Sequence, residues 1–396
     1  MAAPLRILQI HNVQSSYGGA DVVIERETRL LESHGHSVVP FLVDTKAELA
    51  SSRLAAGMKA IWNRDACKRI RRLIDEVQPH IAHVHTPFPV LSPAVFRATH
   101  GRNIATVETL HSHRMICVNA LFQRDGKVCE ECVGHKFPTS AIRHRCYHGS
   151  LIGSVIMAST LALHHQLGTF QNCVDRYIAL SRFAKQKLVA TGFPEDKICV
   201  RPNFVLAPET PGTGEVGNVL FVGRLVPEKG IRTLVNAWKL LESPPQLTIA
   251  GDGPLRGELE SEIAGKNINM IGWQTAEQIR LLMRRAALVV FPSEIYEAGP
   301  LVLIESYSCG TPVLASDVGN FSEQVIEGQT GCRFRSGDSA DLAAKLSDLF
   351  SNPSRLQAMR PLAFAEYQCR YTPEVSYKVL MEIYSQAMKQ HPNSGS

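Results

Sequence analysis

The chain has 396 residues, 44% of them hydrophobic and 20% charged. That is ordinary globular composition, and at this length it suits two domains better than one, because single cores stop growing near ~250 to 300 residues. No basic stretch followed by an apolar one opens the chain, and its longest weakly polar run, about 151–163, is short of the ~20 residues a membrane span needs; the expectation is a soluble, cytoplasmic protein. The net charge of +5 is uneven: residues 1–205 hold 25 Lys and Arg against 16 Asp and Glu, and residues 206–396 hold 17 against 21.

In chain order, an apolar strand "LRILQIH" leads to the turn Tyr17-Gly18-Gly19, an amphipathic helix over about 20–33, and the strand "SVVPFLV". Residues 58–77 interleave Ile61, Trp62, Ile70, Leu73 and Ile74 with six basic side chains. They read as an amphipathic helix with a solvated basic face, or as a docking element for an anionic membrane. Strands "IAHVHT" (81–86) and "IATVETLH" (104–111) follow, then an irregular cysteine-bearing insert (114–148), a helix over 150–166, the strand "RYIAL" and a helix over 182–191. Residues 205–217, rich in Pro and Gly without periodicity, read as a linker.

The second half restarts the pattern: strand "NVLFVG", loop "RLVPEKG", helix 231–241, strand "QLTIAG", turn "DGP", helix 255–264, strand "INMIG", helix 276–285 and strand "ALVVF". A helix predicted over Pro300–Cys309 ends at Gly310, the strand Val313–Ala315 comes next, and helices are predicted over 338–350, 353–366 and 373–389. The reading is α/β: two Rossmann-like domains in series facing each other across a cleft. The expected boundaries are 1–205 with the insert at 114–148, 206–370, and a terminal segment 371–396 packing back toward the amino-terminal domain.

Two carboxylates draw attention. Glu297 falls in the loop at a strand's carboxyl end and Glu305 on the first turns of the following helix, where ligands bind in open α/β sheets. Gly18 and Gly19 open a helix after the first strand and allow a phosphate or sugar close to the backbone. Arg224 and Lys229 place two cations in a strand-to-helix loop. Cys117, Cys129, Cys132 and Cys146, spaced C-x11-C-x2-C-x13-C, match a closed structural zinc site, with reduced thiols or an iron–sulfur or redox role as alternatives.

Taken together, "EAGPLVLIE", "FVGRLVPEKG", "IAGDGP", the early "GGA" and "VETLHSHR" resemble the GT-B glycosyltransferases of the retaining nucleotide-sugar type, family 4, over nearly the whole chain. The resemblance implies that Arg224 and Lys229 hold the pyrophosphate of a UDP or GDP type donor without a catalytic metal, that Glu305 takes the ribose hydroxyls, and that Glu297 and His111 serve the transferred hexose. Gly299-Pro300 stands where the family carries an aromatic-glycine pair, and Pro300 has no N–H, so backbone contacts to the donor fall to Gly299, Leu301 and Val302. Ser112 replaces the acid that often follows the histidine. The implied activity is retaining hexosyl transfer to a glycan or lipid-linked acceptor in surface polysaccharide biosynthesis, at the inner face of the cytoplasmic membrane. Alternatives are a nucleotide-sugar epimerase of the same architecture and a zinc-stabilised nucleic-acid-binding protein; the second leaves Glu297 and Glu305 unexplained, and no nucleic-acid partner is expected.

Overall fold

The computed structural model describes residues 3–13, 18–49, 53–208 and 210–391. Tyr17 and Glu209, which belong to the expected first turn and linker, lie outside them. The described chain falls into two compact units. The first comprises the chain up to Phe122, Cys129–Pro202 and the chain from Ser376 on; the second comprises Gln123–Val128 and Asn203–Val375.

In the first unit the strands are β1 (Arg6–Val13), β2 (Ser37–Asp44), β3 (Ile81–Thr86) and β4 (Ala105–Thr109). Next in the chain comes a small antiparallel hairpin, β5 (Gln123–Arg124) and β6 (Lys127–Val128), which groups with the second unit; β7 (Arg176–Ala179) and β8 (Ile198–Val200) are the remaining strands of the first. The main sheet is parallel, in the order β2-β1-β3-β4-β7-β8. The chain steps from β1 to one side and returns to the other, so the crossovers diverge between β1 and β3. β4 and β7 are buried along their whole length and β3 up to its last residue, as parallel strands covered on both faces must be. Leu380, Ile383, Tyr384 and Ala387 of the helix Pro373–Gln390 share a core with Ile7, Leu31, Ile81, Val107 and Ile178.

The second unit repeats the design with β9 (Glu215–Val222), β10 (Gln246–Ala250), β11 (Ile268–Gly272), β12 (Ala286–Phe291), β13 (Val313–Ser316) and β14 (Gly331–Phe334). Its parallel order is β11-β10-β9-β12-β13-β14, and the crossovers diverge between β9 and β12.

Several expectations shift. β9 begins at Glu215, inside the predicted linker, and Val205 is fully buried with its N–H on the Tyr371 carbonyl; Pro and Gly here shape a packed segment. The helix expected over Pro300–Cys309 runs over Leu301–Ser308 with Pro300 as its N-cap, because the proline holds an extended ψ of 103°. β4 stops at Thr109, so His111 lies past the strand end instead of closing it. The "irregular" insert contains the hairpin and a short helix, Thr139–Arg143. The helix Arg64–Val77 buries Ala66, Cys67, Ile70 and Ile74 against the protein and turns its arginines outward.

Candidate active site

The second unit gathers most of the predicted residues at the carboxyl ends of β9 and β12, the point where its crossovers diverge. Backbone packing decides where the loop after β9 can go. A Cβ on Gly251 would stand 1.9 Å from the Gly223 carbonyl, so only glycine lets the loops after β9 and β10 touch; the Leu225 N–H then binds the Asp252 carbonyl at 2.9 Å. Gly230 closes the turn Pro227–Lys229 at φ +65°, with its missing Cβ 1.8 Å from the Pro292 carbonyl. This contact locks the turn carrying Lys229 against the loop that follows β12.

The consequence is an ion pair. Lys229 Nζ lies 2.5 Å from Glu297 Oε1, which also accepts from Ser293 Oγ at 2.8 Å; the two charged side chains are 30% and 14% exposed. The Ser293 carbonyl in turn accepts from Ser316 Oγ, and Asn320 Nδ2 donates to the Ala298 carbonyl at 2.8 Å, so β13 and the turn after it brace the Glu297 loop. Asn203 Nδ2 holds the Gly299 carbonyl at 2.9 Å. Leu301 and Val302, half-buried, form the first turn of the next helix, whose leading N–H groups have no intrahelical acceptor. Glu305 sits one turn further on, half-buried. Arg224 is exposed just past β9, and among the described residues its guanidinium has no ion-pair partner. The second unit thus carries, at one end of its sheet, a guanidinium without an ion-pair partner, an ammonium held by a carboxylate, and helix N–H groups without intrahelical acceptors, all groups whose chemistry suits an anion. Ser293, Asn203 and Asn320 were not foreseen: each acts through a backbone carbonyl or a loop contact that no linear motif reveals.

In the first unit Gly18 opens the helix Gly19–Ser33, and its N–H goes to Asp21 Oδ2 at 2.8 Å. Of the two glycines, Gly19 therefore has the N–H left for a ligand. Asp21 also bonds His11 Nε2 at 2.8 Å, and His11 Nδ1 meets Thr86 Oγ1 at 2.6 Å. His111 lines a pocket with His85, Thr86, Glu108, Ser112 and Arg114, and burial pushes its imidazole down to about 3. Glu108, fully buried, is pushed by burial well above the usual carboxylate range.

Behind this pocket lies a polar core that motif reading missed. Glu27, on the buried stripe Val23, Ile24, Glu27, Leu30, Leu31, pairs with Arg201 at 2.6 Å and faces His83 Nδ1 at 3.2 Å and His85 Nε2 at 3.5 Å. The signal was present as an acid on an apolar helix face and two histidines two apart in a strand buried on both faces. Glu27, His83 and His85 are the group of three whose ligand atoms all lie within 4.8 Å among the described residues.

The four cysteines are thiols, none of them in a disulfide. Burial, then the neighbouring Cys117, Cys146 and Cys129, push the Cys132 thiol up to about 12, so the sulfurs are close enough to repel one another as thiolates. Cys117 Sγ donates to Asn119 Oδ1 at 2.9 Å. The donor set fits a divalent thiophilic cation, although the thiols as placed do not form a converging trio.

Residues 17–206 match the model of Glycosyltransferase Family 4 and residues 212–365 that of Glycosyl transferases group 1. The uncharacterized glycosyltransferase MJ1178 of Methanocaldococcus jannaschii is 29% identical over 181 residues, 45% of this chain and 50% of that protein. The D-inositol 3-phosphate glycosyltransferase of Nocardia farcinica is 32% identical over 209 residues, 49% of this chain and 45% of that one. The chain thus spans about half the length of these curated relatives. The structure of Anabaena Alr3699/HepE in complex with UDP-glucose superposes with a TM-score of 0.66 at 19% identity, covering 96% of this chain and 100% of that one, which establishes the GT-B fold.

Proposed function

We propose that this chain, in which a Family 4 and a group 1 glycosyltransferase domain follow one another on a GT-B fold, transfers a hexose from a nucleotide-diphosphate sugar with retention of configuration. The observation that carries the reading is the Lys229–Glu297 pair at the switch point of the second sheet, with Arg224 beside it in sequence and Glu305 one helical turn from open N–H groups. In this reading Arg224 and Lys229 take the diphosphate, and Glu305 takes the ribose. The Gly299, Leu301 and Val302 backbone holds the donor phosphates and sugar. Glu297 serves the hexose; in the first unit His111 is likewise read as a sugar-facing residue, and Gly18 and Gly19 as a close backbone approach for phosphate or sugar. Positive charge fixed at the leaving group does the work of a Lewis acid, so no catalytic metal is invoked. Retention follows if the departing phosphate oxygen itself accepts the acceptor's proton while the protein positions both substrates. A UDP donor is favoured by analogy with the HepE complex.

Cys117, Cys129, Cys132 and Cys146 would hold a structural zinc, closed to substrate and stabilising the insert. The acceptor is a glycan or lipid-linked sugar in surface polysaccharide synthesis. A cationic, apolar face supports a membrane partner: Leu151, Ile152 and Val155 are 49%, 73% and 40% exposed, Met58 of the helix Arg53–Ile61 is 62% exposed, and no acidic residue occurs between Glu131 and Asp175. No helix among the described residues is long and apolar enough to cross a membrane.

The test is a thermal-shift and hydrolysis panel of UDP-, GDP-, ADP- and dTDP-sugars, without added metal, on wild type and Glu305→Ala. One donor should stabilise the wild type and be slowly hydrolysed, and the variant should lose both effects. Binding of single-stranded nucleic acid in place of every donor, with a steep salt dependence, would refute the transferase reading.

A further inference from the structure

The first unit joins a buried carboxylate, two buried imidazoles, a guanidinium and a phenol to a third, half-buried imidazole, His111. Glu27 and His83 are fully buried and His85 nearly so. Arg201 Nη1 binds Glu27 Oε2 at 2.6 Å, and Arg201 Nε is itself anchored on the Ser376 carbonyl. The other carboxylate oxygen, Oε1, faces His83 Nδ1 at 3.2 Å and His85 Nε2 at 3.5 Å. His83 also meets the Tyr384 hydroxyl through Nδ1 and Thr109 Oγ1 through Nε2, each at 2.8 Å. The far nitrogen of His85, Nδ1, lies 3.0 Å from His111 Nε2, and His111 reaches the pocket.

An ionised carboxylate only accepts, and a neutral imidazole offers one donor and one acceptor. Burial alone would raise the Glu27 carboxyl, but Arg201, His83 and His85 overcome it and hold the group well below its usual range, so Glu27 is an anion. Burial keeps both His85 and His111 neutral. His85 Nε2 and Glu27 Oε1, at 3.5 Å, are too far apart for a good hydrogen bond and have no other hydrogen-bond partner among the described residues. A lone pair on Nε2 would face the carboxylate and be repelled, so the charge favours the proton on Nε2, which makes Nδ1 the acceptor. His111 must donate to it from Nε2, which leaves the lone pair of His111 on Nδ1, a nitrogen with no partner among the described residues.

We infer that Glu27, acting through His85, fixes His111 in the Nε2–H tautomer, so that His111 presents a hydrogen-bond acceptor, Nδ1, to a ligand hydroxyl. Glu27 and His85 are positioning residues in this scheme; only His111 touches the ligand. The inference extends the reading of His111 as a sugar-facing residue and rests on it for the nature of the ligand, though the tautomer itself does not. A metal ion among Glu27, His83 and His85 is the competing use of the same atoms. The Arg201 guanidinium on Glu27 and the Tyr384 hydroxyl on His83 Nδ1 oppose it, since a cation would sit beside a buried positive charge and displace an existing bond.

The experiment is long-range 1H–15N correlation on protein labelled at its 15 histidines, with His111→Gln and His85→Gln used only to assign signals. In the wild type, His111 should show a protonated, pyrrole-type Nε2 and an unprotonated, pyridine-type Nδ1. Glu27→Gln should invert it, because the amide oxygen turns to Arg201 and the NH2 group faces His85, reversing each donor and acceptor down to His111. Nucleotide-sugar turnover by that variant should fall about 10-fold, the loss of one correctly oriented hydrogen bond. A wild-type His111 protonated on Nδ1, or a stoichiometric metal in the purified protein that shifts the His83 and His85 nitrogens, overturns the inference whether or not Glu27→Gln folds. If the tautomer is as described and no nucleotide sugar binds, the relay stands and the donor reading fails.

Discussion

The two members of the Lys229–Glu297 pair should respond to mutation with opposite signs. Lys229→Met removes the ammonium assigned to the donor diphosphate, and a charge-assisted hydrogen bond contributes about 1.5–3 kcal/mol. The ammonium is not free beforehand: it lies 2.5 Å from Glu297 Oε1, with side chains 30% and 14% exposed. Exchanging a partly exposed ion pair costs about 0.2–1 kcal/mol, so the net loss is about 0.5–2.8 kcal/mol, or about 2- to 100-fold in Kd. Glu297→Gln releases the ammonium, and UDP should bind equally or up to about 5-fold more tightly. Turnover by that variant should fall, because the carboxylate assigned to the hexose is gone. Isothermal titration with UDP at two ionic strengths separates the effects, since the Lys229→Met loss should shrink at high salt. If both variants weaken UDP alike, or if Lys229→Met binds as wild type, the diphosphate does not meet Lys229 and the assignment is wrong.

Gly230→Ala should destabilise the second unit by about 2–3 kcal/mol or more, read by urea denaturation, because a residue at φ +65° costs about 1–2 kcal/mol and its Cβ would also collide with the Pro292 carbonyl. Acid should weaken the first unit: His111 and His164 are held at about 3 and about 4 by burial, below the 6.5 of the open chain. Their stabilisation is complete above pH 6.5 and is lost as pH falls, by about 2 kcal/mol each at pH 5, which denaturation at a series of pH values measures. Glu108 works the other way: its raised folded value means the open chain ionises above 4.5 while the folded chain does not, so Glu108→Gln should raise stability at pH 8 and leave it unchanged at pH 4. Ile152→Glu should reduce sedimentation with vesicles rich in anionic lipid several-fold without altering hydrolysis of a soluble donor. Metal analysis should find one zinc per chain in wild type and none in Cys132→Ser.

The linear chain was enough to determine the α/β class, the two successive Rossmann-like sheets and the elements carrying Arg224, Lys229, Glu297 and Glu305. Each of these depends on local chemistry: a period-two apolar run, a glycine after a strand, a proline before a helix. It carried the strand on to His111, although β4 ends at Thr109. It misplaced boundaries where packing competes with composition, as at β9, which begins inside a Pro- and Gly-rich stretch because Leu220 and Phe221 draw the segment into the sheet. Only the tertiary structure could decide that Lys229 and Glu297, 68 residues apart, share a hydrogen bond, because their meeting depends on β9 and β12 being neighbours. The same holds for Glu27, His85, His111 and Arg201, drawn from a helix, a strand and two loops. A carboxylate's ionisation and an imidazole's tautomer are properties of the surrounding burial and charge, which exist only once those segments have packed.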